Sequence, residues 1–81
     1  MDFEETHVFL ARCMCMLDFT IVDAGIPNNI RCSIMRHLRT LLAQATTRSH
    51  LDRIEETMDE MVSYVVLYRY RNHAMAAAHK K

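Results

Sequence analysis

An all-α fold is predicted for this 81-residue chain by three observations: apolar residues recur at three- and four-residue steps, the whole chain holds one Gly and one Pro, and those two stand together at a single break. A chain this short has room for one core, so residues 1–81 read as a single helical domain. Apolar residues make up 51% of it, more than a small monomer hides readily. Pairing with a second copy is the expected remedy, which gives a helical hairpin plus a long third helix with a dimeric, antiparallel four-helix-bundle core.

The first helix is expected over about residues 3–22. Asp2 stands where it can cap the helix, and Glu4 and Glu5 follow in the opening turn, where the helix dipole favours carboxylates. Val8, Phe9, Leu10, Ala11, Met14, Met16, Leu17, Phe19, Ile21 and Val22 occupy more than one stripe, so cover is needed on more than one side. The run is too short to cross a bilayer, and Arg12, Asp18 and Thr20 interrupt it. No membrane partner is expected.

Asp23 to Asn29 is the hinge, with Gly25 stopping one helix and Pro27 in the first turn of the next. Helix 2 is expected over about 27–45, antiparallel to helix 1. Its core stripe is Ile30, Ile34, Leu38, Leu41, Leu42 and Ala45; the opposite face carries Cys32, Arg36, Arg39, Thr40, Ala43 and Thr47. Ser49 followed by Asp52 suits a capping start, and helix 3 is expected over about 50–78. Leu51, Ile54, Met58, Met61, Val65, Tyr68 and Met75 fit a heptad seam that Asn72 interrupts. Residues 64–70 have the β-branched and aromatic content of a strand, but helical flanks, Ala74 and Ala76 to Ala78 above all, decide for helix.

Several chemistries find no support. Cys13 and Cys15 project about 200° apart on a helix, so they cannot jointly hold a metal and read as buried structural thiols. With Cys32 the cysteine count is odd, which suits a reducing compartment, and the acidic start Met1-Asp2-Phe3-Glu4-Glu5 is unlike an export leader. A cytoplasmic location is expected. His73 and His79 lack the spacing of a helical metal pair, no Gly-rich phosphate loop exists, and no nucleophile has a base and orienting acid near it in sequence. Neither catalysis, nor a cofactor, nor a small-molecule substrate is expected.

The formal net charge of zero conceals four blocks. Residues 1–23 hold five acids against Arg12, and 24–51 hold Arg31, Arg36, Arg39 and Arg48 with no acid; 52–60 hold five acids against Arg53, and 69–81 hold Arg69, Arg71, Lys80 and Lys81. An acid-free arginine helix attracts phosphates, which guanidinium groups grip in a bidentate way. The plainer alternative is an electrostatic zipper between these arginines and the acids of helix 1 or of residues 52–60.

At the hinge, Asp23-Ala24 and then Pro27-Asn28-Asn29-Ile30-Arg31 resemble the entry to the second helix in the small RNA-silencing suppressors of insect nodaviruses, with Gly25-Ile26 as an insertion. The resemblance implies a helical hairpin that dimerises antiparallel, with paired second helices lying along an RNA duplex. It implies sequence-independent binding of double-stranded RNA in a host cell, shielding the duplex from dicing and from loading into silencing complexes. Asn28, Asn29 and Arg31 then open the binding helix, and Cys32 stands where such a helix carries a second basic residue. Helical geometry adds Arg36, Arg39 and Thr47, and charge adds Arg48, so the candidate RNA-binding set is Asn28, Arg31, Cys32, Arg36, Arg39, Thr47 and Arg48. The competing reading is a helical protein-interaction module that docks a partner along helix 3.

Overall fold

The computed structural model describes residues 2–79, with side chains as far as His73. Three helices pack against one another: α1 (Phe3–Asp23), α2 (Asn28–Gln44) and α3 (Arg48–His79). No strand occurs among the described residues.

Local chemistry sets each boundary. The Asp2 carboxylate accepts the Glu5 amide at 2.8 Å and so caps α1. At the other end Gly25 takes φ 78, its amide donates to Val22 O at 3.0 Å, and the Ile26 amide reaches back to Ile21 O at 3.4 Å. This doubly bonded left-handed stop is completed by Ile26, buried beside Ile21. Pro27 stands one residue earlier than expected relative to α2: it is the N-cap, and its carbonyl accepts from Ile30 and Arg31. The start of α3 is also earlier than the Ser49 cap anticipated. Thr47 is the capping residue, its hydroxyl accepting the His50 amide at 3.3 Å, so the helix takes in Arg48 and Ser49.

The helices run up, down and up. His7 Nε2 donates to Leu42 O at 3.0 Å and Arg31 meets Asp18, pairs that only antiparallel α1 and α2 allow. Arg48 donates to Thr6 Oγ1 at 3.1 Å and Arg69 pairs with Asp23 at 3.1 Å, so α3 runs parallel to α1. Leu10, Met14, Leu17 and Ile21 of α1, Met35, Leu38 and Leu42 of α2, and Leu51, Ile54, Met58 and Val65 of α3 are buried together. The seam expected on helix 3 is therefore turned inward over its first half, with Met61 and Tyr68 packed partly against the core. Asn72 is exposed, and Met75 lies outside the described side chains.

Two surfaces are left uncovered. On α1, Val8, Phe9, Met16, Phe19 and Val22 are exposed, with Phe19 79% accessible. At about 100° per residue they form one stripe opposite the buried one. The expectation of two buried thiols on this helix is corrected by the same division of faces: Cys13 is half-buried against the core, while Cys15 projects to the outer side and is exposed. On α3, Val62, Tyr64, Val66, Leu67 and Tyr70 are exposed around the segment that looked most strand-like in sequence. It is helical nonetheless, because Val65 and Tyr68 pack on the core only at helical spacing. The stripe of α2, by contrast, is covered from within by α1 and α3, apart from the exposed Ile30.

Gly25 is the position where backbone conformation alone should be decisive. No atom lies within 4 Å of where a Cβ would sit, yet a left-handed φ costs an L-residue about 1–2 kcal/mol. Gly25→Ala should lower the melting temperature by roughly 4–8 °C per kcal/mol with helix content unchanged, as thermal circular dichroism would register.

Candidate nucleic-acid interface

The outer face of α2 and the flank of α1 enclose an open groove of about 480 Å³, lined by Asp18, Arg31, Cys32, Met35, Arg36, Arg39, Thr40 and Ala43. Helix geometry produces it: positions 32, 36, 39, 40 and 43 share one side of α2, away from the buried Leu38. Cys32, Thr40 and Ala43 contribute small side chains between the arginines.

Arg31 and Asn28 are engaged in a latch. Arg31 Nε donates to Asp18 Oδ1 at 2.7 Å and Nη2 to Oδ2 at 3.3 Å, while Nη1 reaches Asn28 Oδ1 at 3.1 Å. The hydrogen bond from Arg31 holds the Asp18 carboxyl below its ordinary range, partial burial opposes this, and the charges of Arg31 and Arg39 add to the lowering. Asp18 in turn raises the Arg31 guanidinium. Arg36 and Arg39 are exposed and make no ion pair among the described residues.

The remaining candidates sit elsewhere. Thr47 is occupied as the α3 cap. Arg48 meets Asp52 at 3.4 Å and Thr6 at 3.1 Å, beyond the end of α2. The structure thus brings Arg31, Cys32, Arg36 and Arg39 into one groove and leaves Asn28, Thr47 and Arg48 off its walls. Two of the four arginines have taken acidic partners, one from helix 1 and one from the 52–60 block, as the zipper alternative anticipated. Sequence reasoning missed Asp18 as a groove residue. Its only signal was a carboxylate in an otherwise apolar stretch, on the side of α1 that the short hinge turns toward α2.

No protein-family model, curated protein or solved structure matches this chain. Among the described residues no group of three His, Cys, Asp or Glu side chains is placed to hold a metal ion, and no helix is long and apolar enough to cross a membrane.

Because the folded pKa of Asp18 is lowered, its pair with Arg31 adds stability above the ordinary carboxylate pKa of about 3.9, and that contribution is lost as pH falls through the lowered value. Asp18→Asn should therefore lower stability modestly near neutrality, because the pair is partly exposed, and the two proteins should converge as the pH falls through the lowered value. Urea titrations of both proteins at stepped pH would measure the difference.

Proposed function

We propose that the chain binds double-stranded RNA irrespective of its sequence, as a homodimer, and acts by occluding the duplex. One observation carries this reading: Arg36 and Arg39 are exposed, without ion pairs among the described residues, and line one groove together with Arg31 and the small Cys32, Thr40 and Ala43. Neighbours three apart on a helix lie about 5–6 Å from one another, so both guanidinium groups reach the same stretch of phosphate backbone. Such contacts fix position without reading bases, and shape recognition is how duplex RNA is bound in general. Arg31 reinforces the field of the groove from its latch, while Asp18 limits it.

The resemblance at Asp23 to Arg31 points the same way, toward suppression of RNA silencing in the cytoplasm of a host cell by shielding duplexes from dicing and loading. The dimer is supported by the uncovered apolar stripe on α1, since contiguous apolar surface of this kind marks an interface. A second reading, a protein-interaction module, is favoured by the exposed apolar side chains of α3 from Val62 to Tyr70.

A gel-shift series with duplex RNA, duplex DNA and single-stranded RNA separates the two readings, and binding to none of them decides for the interaction module. Arg36→Ala combined with Arg39→Ala should leave helix content intact, since both side chains are exposed and alanine is the better helix former. In a dimer the double variant removes four charges. Affinity should fall almost equally for unrelated duplex sequences, and the log–log salt dependence should flatten by roughly 0.9 per lost phosphate contact, taking the value for B-form DNA. An unchanged affinity and salt slope in the folded variant would remove this face from RNA binding.

A further inference from the structure

The 32 residues of α3 outrun the 21 of α1 by 11, about 16 Å of helix at 1.5 Å per residue. The two helices start level, because Arg48 reaches Thr6, and Arg69 meets Asp23 at the far end of α1. The last part of α3 therefore projects beyond the bundle, and among the described residues no other helix runs beside it. Just before the projection, Val62, Val66 and Tyr70 recur at four-residue steps on the side of α3 next to α1, exposed by 44%, 59% and 72%. On the neighbouring α1, Met16 and Phe19 of the outer stripe are exposed by 71% and 79%.

We infer that the projecting end of α3 is an arm that lies antiparallel along the α1–α3 face of a second copy, with the two-fold axis at Val66. This names the contact behind the self-association proposed above and rests on that part of the reading, not on RNA binding. In this register Val66 meets Val66, and each Val62 meets Tyr70 of the other copy. Asp59 comes opposite His73. Beyond Tyr70 the arm passes Phe19 and then Met16 of the second copy, and its end at His79 comes level with Phe9.

Charge selects the antiparallel sense and the second copy as occupant. The first part of α3 carries Asp52, Glu55, Glu56, Asp59 and Glu60, whereas from Met61 to Lys81 the chain holds no acid and four basic residues. A parallel pairing would set like charge on like, while the antiparallel one sets the acidic part of each α3 against the basic part of the other. At the far end of the partner's stripe, Glu4, Glu5, Val8, Phe9 and Arg12 line a concavity of about 470 Å³. Its two acids against the single Arg12 leave it net negative, which suits the acid-free end of an arm arriving there.

The intact 81-residue chain carries the test. The Val66→Cys variant, oxidised under mild conditions, should give a covalent dimer whose mapped bridge joins the introduced thiol of one copy to the introduced thiol of the other. The native Cys15, exposed on α1, serves as an internal control. Phe19→Ser and Tyr70→Ser remove side chains that are exposed in the single chain, so helix content should hold while the dimer dissociation constant rises at least tenfold in sedimentation equilibrium. A bridge through Cys15 alone overturns the arm in favour of direct α1–α1 pairing, leaving the dimer itself standing. The absence of any interchain bridge, or serine variants that associate like the original chain, overturns the arm as well. Duplex binding enters none of these readouts, so failure of the RNA reading leaves them interpretable.

Discussion

The constraint from which the rest of this structure follows is that α1 has two apolar faces and the chain has helices enough to cover one. Leu10, Met14, Leu17 and Ile21 form the wall against which both α2 and α3 pack. Burying a side chain of this size is worth about 1.5–3 kcal/mol, which outweighs the contribution of any surface ion pair in the molecule. Once that face is taken, Val8, Phe9, Met16, Phe19 and Val22 point away from everything else in the chain. No rotation of α1 buries both stripes, because they lie on opposite sides of one helix.

Electrostatics is subordinate to this packing but decides what remains on the surface. Among the described residues, the ion pairs of Arg31 with Asp18, Arg48 with Asp52 and Arg69 with Asp23 each join blocks of opposite sign. Pairs this exposed contribute little individually; Arg31–Asp18 and Arg69–Asp23 join helices that apolar contacts have already brought together, while Arg48–Asp52 lies within α3. Their lasting effect is subtraction. After Arg31 and Arg48 have found carboxylates, Arg36 and Arg39 are left in the middle of α2 without ion pairs among the described residues, and the groove they line keeps a basic character.

The length of α3 is the other consequence of the chain's economy. Its first half is an ordinary bundle helix with one buried side, but the segment from Val62 to Tyr70 is apolar nearly all round, a composition suited to contact on several sides. Only one of those sides faces α1 and α2. A helix this well formed past the end of its own bundle has its backbone hydrogen bonds satisfied locally, so the projection itself costs little, and the apolar surface beside it remains open for self-association.

Helix count, helix type and most boundaries were legible in the sequence. Apolar spacing and end signals act within a few residues, and Asp2, Gly25 and the four-residue steps of Leu38 and Leu42 act in the structure as they read in the chain. Two ends were misplaced by a residue or two: Thr47 caps α3 where Ser49 offers the same hydroxyl chemistry, and Pro27 is the N-cap of α2 through its backbone alone, with no side-chain cap bond. The opposition of Arg36 and Arg39 to the core was likewise fixed by their distance from Leu38 along one helix. The sequence alone could not assign partners across helices. Asp18 is 13 residues from Arg31, and Thr6 is 42 from Arg48. Only the packing of α2 and α3 against one face of α1 decided which arginines were neutralised, which stayed free and which apolar stripe was left outside. Those outcomes depend on rotation and register between helices, which side-chain packing sets and periodicity within a helix does not contain.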